Sequence, residues 1–73
     1  MKYTRAKIIQ ILEKDTSSDH IKKLCRDNGL TLKTAIVVDK FLDKTMEEVA
    51  AEVQIDVRTV QRKINSFIEK CSH

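Results

Sequence analysis

The chain has no proline, no tryptophan, a single glycine and aromatics at only 4% of its 73 positions. Sheets with tight turns draw heavily on Gly, Pro, Asn and Asp, and disordered linkers on Pro, Gly and Ser. Neither fits, and an all-α composition remains. Seventy-three residues make one domain with a small core, which excludes a large catalytic cleft. Long apolar runs are missing too: the longest is Ala35-Ile36-Val37-Val38. Nothing resembles a membrane span or a signal peptide, so the expected protein is soluble and cytoplasmic. Cysteine is sparse, with Cys25 and Cys71 far apart and no CxxC. That pattern suits a reducing cytosol better than a disulfide scaffold.

A large charge excess of one sign is also absent. The formal net charge of +3 only permits an anionic partner. Its distribution says more. From Asp39 to Asp56 six acids stand against two lysines; from Val57 to His73, Arg58, Arg62, Lys63 and Lys70 stand against Glu69. Residues 1–14 carry Lys2, Arg5, Lys7 and Lys14 against Glu13. Two basic ends flank an acidic middle, as expected if one face meets phosphate and another does not.

Apolar spacing predicts four to five short helices. The first spans Thr4 to Lys14 with a stripe of Ile8, Ile9, Ile11 and Leu12. Asp15-Thr16-Ser17-Ser18 breaks it and offers a cap. The second, Ser18 to Asn28, buries Ile21, Leu24 and Cys25, and Gly29 ends it in a left-handed turn followed by Leu30. Thr31 caps a third, Leu32 to Asp43, with Leu32, Ala35, Ile36, Val38, Phe41 and Leu42 available for the core. Thr45-Met46-Glu47-Glu48 has the form of a capping box, so a fourth starts at Met46 with Val49, Ala50 and Val53 inward. Asp56 caps the last, Val57 to Cys71, striped by Val57, Val60, Ile64, Phe67 and Cys71. Cys25…Gly29-Leu30…Ala35 loosely echoes Ala50…Gln54-Ile55…Val60, although Asn28 is polar where the pattern wants a core residue.

The stretch EVAAEVQIDVRTVQRKI, Glu48 to Ile64, carries the functional signal. Two helices crossing steeply need a small residue at the contact, here Ala50. They also need an apolar plug in the turn, Ile55, and a branched residue facing back from the second helix, Val60. This is the packing logic of a helix-turn-helix. It frees the outer face of the second helix for a DNA major groove. That face carries Arg58, Thr59, Gln61 and Arg62, side chains suited to base edges, with Lys63, Asn65 and Lys70 placed for the phosphate backbone.

These residues bear a family resemblance. Thr45, Glu47, Glu48, Val49, Ala50, Val53, Ile55, Thr59, Val60, Arg62, Lys63 and Ile64 fit, in order and spacing, the fourth region of bacterial sigma factors and the small phage and prophage regulators built on it. The resemblance covers residues 32–70. It implies major-groove binding of double-stranded DNA by the last helix, within transcription control. The chain departs from the family at Gln54, where Gly is usual, and at Asp56, where Ser or Thr is common. If the backbone at Gln54 is left-handed, a non-Gly residue there adds strain of about 1 kcal/mol. Residues 1–31 match no family pattern, which divides the chain into N-terminal helices of open role and a helix-turn-helix over 32–71.

Other chemistries fare worse. His20, Cys25, Cys71 and His73 lack any standard zinc spacing, so no metal or cofactor is expected. Asp19 beside His20 has no nucleophile or oxyanion donor with it, so no enzyme is expected. The rival reading is a module that binds RNA polymerase or another regulator, with Glu47, Glu48 and Glu52 as an acidic contact face. A domain this small makes few base contacts, which leaves room for a homodimer.

Overall fold

The computed structural model describes residues 5–72. They form α1 (Arg5–Leu12), α2 (Ser18–Asp27), α3 (Leu32–Phe41), α4 (Met46–Val53) and α5 (Val57–Cys71), with no strand among them. The fold is all-α. The expected start of the first helix at Thr4 lies outside the described residues.

Local chemistry sets most of the boundaries. Ser17, Thr31, Thr45 and Asp56 each sit in extended backbone and accept a hydrogen bond from an amide of the helix they precede. At α4 the box is complete: Thr45 Oγ1 accepts from Glu48 N at 3.1 Å and Glu48 Oε1 accepts from Thr45 N at 2.9 Å. Such caps stabilise a helix by about 1 kcal/mol each. Ahead of α2, Ser17 donates to the Asp15 carboxylate from its hydroxyl and its amide, which holds the Asp15 carboxyl below its ordinary pKa.

Three ends differ from expectation, that of α2 by a single residue, at Asp27 instead of Asn28. α1 stops at Leu12 instead of Lys14, because Glu13 and Lys14 turn left-handed at φ 53° and 76°. α3 stops at Phe41 instead of Asp43; Leu42 and Asp43 bond to Asp39 and Lys40 in a tightening last turn. The Phe41 carbonyl is taken by Arg5, whose Nε donates to it at 2.7 Å while Nη2 donates to the Lys44 carbonyl at 2.8 Å. The same guanidinium lies 4.8 Å from the centre of the Phe41 ring. Arg5, which the charge pattern grouped with a basic N-terminus, thus ties α1 to the end of α3.

All five helices contribute to one core. Ile8, Leu12, Ile21, Val37, Val38, Val49, Val60, Ile64 and Phe67 are completely buried, with Cys25, Ala35 and Ile68 nearly so. Phe67 is the largest of them, and α5 packs against each of the other four helices. Burying a side chain of this kind contributes about 1.5–3 kcal/mol against the chain entropy lost on ordering. Val37 and Ile68 belong to this core although the stripes omit them. Ile9, Leu32, Ile36 and Val57 do not: they are exposed at 43%, 62%, 37% and 37%.

The echo between the two halves has a structural counterpart. Gly29 and Gln54 both adopt left-handed backbone, and Leu30 N donates to Cys25 O at 2.7 Å as Ile55 N donates to Ala50 O at 3.1 Å. Each turn therefore closes with the same six-to-one hydrogen bond that ends many helices. Asn28 is tolerated within the pattern because its Nδ2 donates to the Leu24 carbonyl at 2.8 Å. The result is two helix pairs, α2 with α3 and α4 with α5, each joined by a short turn.

Candidate nucleic-acid interface

The rotation of α5 about its axis is fixed by what it buries. Val60, Ile64, Phe67 and Ile68 face the core, so the opposite side of the helix faces solvent. The start of the helix is set by Asp56, whose Oδ1 accepts from Arg58 N at 2.8 Å. Ala50, only 7% exposed, sits buried on α4 beside Val49, with Val53 and Ile55 half-buried against the core.

On the solvent side two ridges follow the three- and four-residue spacing of a helix. Arg58, Arg62, Asn65 and Glu69 form one. Thr59, Lys63, Ser66 and Lys70 form the other. Arg58, Arg62 and Lys70 are exposed; Thr59, Gln61, Lys63 and Asn65 are half-buried. The seven candidate residues therefore lie on one helix but not on one line. Asn65 Oδ1 is turned inward, buried and without a hydrogen-bond partner. Only its Nδ2 is left to serve a phosphate oxygen.

The ion pairs lie elsewhere. Lys40 meets Glu52 at 3.1 Å, and Lys44 meets Glu52 and Asp43 at 3.8 Å each. Glu52 is thereby occupied in tying α4 to the end of α3 and the turn after it, while Glu47 stays exposed. Among the described residues no carboxylate pairs with Arg58, Arg62, Lys63 or Lys70. Exposed pairs of this kind stabilise little, about 0–1 kcal/mol, so the lack of such a pair at these cations among the described residues costs the fold little.

Beside the second ridge runs a groove of about 300 Å³ between the α2–α3 turn and α5. Gly29, Leu30, Thr31 and Thr34 line one wall, and Thr59, Arg62, Lys63 and Ser66 the other. No carboxylate lines it. Sequence reasoning missed this groove, because nothing in the local pattern of residues 29–34 says which helix they will lie against. The exposed Leu32 lines a different cavity, of about 320 Å³, with Lys22, Cys25, Arg26 and Leu30.

The thiols also meet in a way the sequence hides. Burial pushes the Cys25 thiol up to about 11, and the neighbouring Cys71 adds to that shift. Burial raises Cys71 as well, and both are free. Among the described residues no three His, Cys, Asp or Glu side chains gather as metal ligands; His73 lies outside them. No helix among the described residues is long and apolar enough to cross a membrane.

No protein-family model, curated protein or solved structure matches the chain.

Proposed function

We propose that the chain is a DNA-binding transcription regulator in which α4 and α5 act as a helix-turn-helix and α5 enters the major groove. The observation that carries this reading is the outer ridge of α5. Arg58 and Arg62 stand one turn apart, exposed and without a carboxylate partner among the described residues, on a helix whose opposite side is locked into the core. Arginine recognises guanine in a bidentate fashion, and unpaired cations on a rigid element attract the phosphate backbone. In this reading Arg58 and Arg62 meet base edges, with Gln61 and Thr59 on either flank. Lys63, Lys70 and the Asn65 amide hold phosphates. A second copy of the chain, or a polymerase-bound complex, supplements the few base contacts one such domain makes.

Enrichment of binding duplexes from a random pool, followed by fluorescence anisotropy, tests the reading. Arg62→Ala lowers affinity for the selected site by about 1–3 kcal/mol with an unchanged helical spectrum. An unaltered affinity removes Arg62 from the reading surface.

A second reading is favoured by a separate observation. Leu32 and Ile36, one turn apart on α3, are exposed apolar side chains, and Leu32 borders the cavity walled by Lys22 and Arg26. That surface suits a protein partner, RNA polymerase included, and is compatible with DNA binding by α5.

A further inference from the structure

The groove between the α2–α3 turn and α5 is unexplained by α5 alone, since half of it belongs to the N-terminal helix pair. We infer that this groove seats the sugar–phosphate backbone of one DNA strand, so that the α2–α3 turn is a second DNA contact. The inference rests on the proposed reading of α5 and extends its footprint to residues 29–34.

Three features carry it. The groove shares Arg62 with the outer ridge of α5, so a strand followed by that ridge passes its mouth. Its cations, Arg62 and Lys63, have no carboxylate partner among the described residues and none lines the groove, in a chain with eleven acids. Its remaining surface is mixed: the hydroxyls of Thr59 and Ser66 can donate to phosphate oxygens, and Leu30 offers an apolar surface for a deoxyribose. A volume of about 300 Å³ is enough for a phosphate with its sugar.

The duplication of the helix pairs gives the inference its structural sense. The left-handed turns at Gly29 and Gln54 are closed by equivalent hydrogen bonds. At the second turn the following helix presents Arg58 and Arg62. At the first it is the turn itself that lies beside the cationic side chains of α5.

The test adds a negative charge to the wall contributed by the turn. Thr31 is exposed and caps α3; Asp caps as well as Thr, so Thr31→Asp keeps the helix start while placing a carboxylate in the groove. Thr31→Asn is the neutral control. Thr16→Glu, at an exposed position away from the groove, is the control for net charge. Binding to the selected duplex is followed by anisotropy across a salt series. Thr31→Asp weakens binding about tenfold and flattens the salt dependence, while Thr31→Asn and Thr16→Glu stay within about threefold of wild type. If Thr31→Asp proves unfolded by circular dichroism, Ser66→Glu makes the same test from the α5 wall. Equal effects of Thr31→Asp and Thr16→Glu, with binding still abolished by Arg58→Ala/Arg62→Ala, overturn the groove and leave α5 reading alone. No duplex binding by wild type overturns the reading of α5 and the groove together.

Discussion

Gly29 and Gln54 hold the same left-handed backbone, at φ 73° and φ 61°, each at the end of the first helix of a pair. Only one of the two residues is suited to it. A side chain in this region costs about 1–2 kcal/mol, partly offset by the greater freedom glycine has in the unfolded chain. Gln54→Gly is therefore expected to stabilise the protein by about 0.5–1 kcal/mol, seen as a higher urea midpoint with an unchanged slope. Gly29→Ala does the reverse. An added Cβ meets nothing within 4 Å, so its loss of about 1 kcal/mol is all backbone strain. A lowered midpoint for Gln54→Gly would contradict the assigned turn.

Arg5 joins α1 to α3 through two carbonyls and an aromatic face. Arg5→Ala is expected to destabilise the fold by about 1–3 kcal/mol in chemical denaturation. Arg5→Lys recovers only a minor part, because an ammonium lacks the planar fork that spans both carbonyls. A lysine variant as stable as wild type would reduce the clamp to a charge effect.

Ala50, which the helix-turn-helix reading places at the α4–α5 crossing, is buried on α4. Ala50→Glu leaves a carboxylate there without a partner and should destabilise by about 3–5 kcal/mol, enough to unfold much of a domain this small. Thermal melting followed at 222 nm decides the matter: a transition at the wild-type temperature places the helix contact somewhere else.

Cys25 gives a pH dependence whose sign is fixed. Its folded pKa of about 11 lies above the ordinary value of 9.0, so the folded chain binds the proton more tightly than the unfolded chain does. The associated stability is complete below pH 9 and declines as pH rises toward 11. Cys25→Ala, though less stable at neutral pH through the lost volume, should show a flatter decline over that interval. Parallel wild-type and mutant curves would show that the thiol does not titrate late.

Much of this architecture was legible because it is local. Ser17, Thr31, Thr45 and Asp56 announce their helices by chemistry confined to three or four residues, and the starts of α2 to α5 follow from them. The end of α1 was not legible: Glu13 and Lys14 carry no signal for left-handed backbone. Nor was the role of Arg5, whose partners are 36 and 39 residues away. The apolar stripes overcounted at Leu32 and Ile36, because spacing marks a face without saying whether another helix covers it. For the candidate site, periodicity placed Arg58 and Arg62 outward. It did not reveal that Thr59 and Lys63 turn toward the α2–α3 turn, or that the Asn65 oxygen points inward.

DNA binding by the outer face of α5 is the proposal on which the other assignments depend. Anisotropy of a labelled mixed-sequence duplex, titrated across a range of salt with wild type and Arg58→Ala/Arg62→Ala, tests it most directly. Wild-type affinity is expected to fall steeply with salt, and the double mutant to bind weakly at every salt concentration. Equal binding by a folded double mutant, or no wild-type binding at low salt, would contradict it.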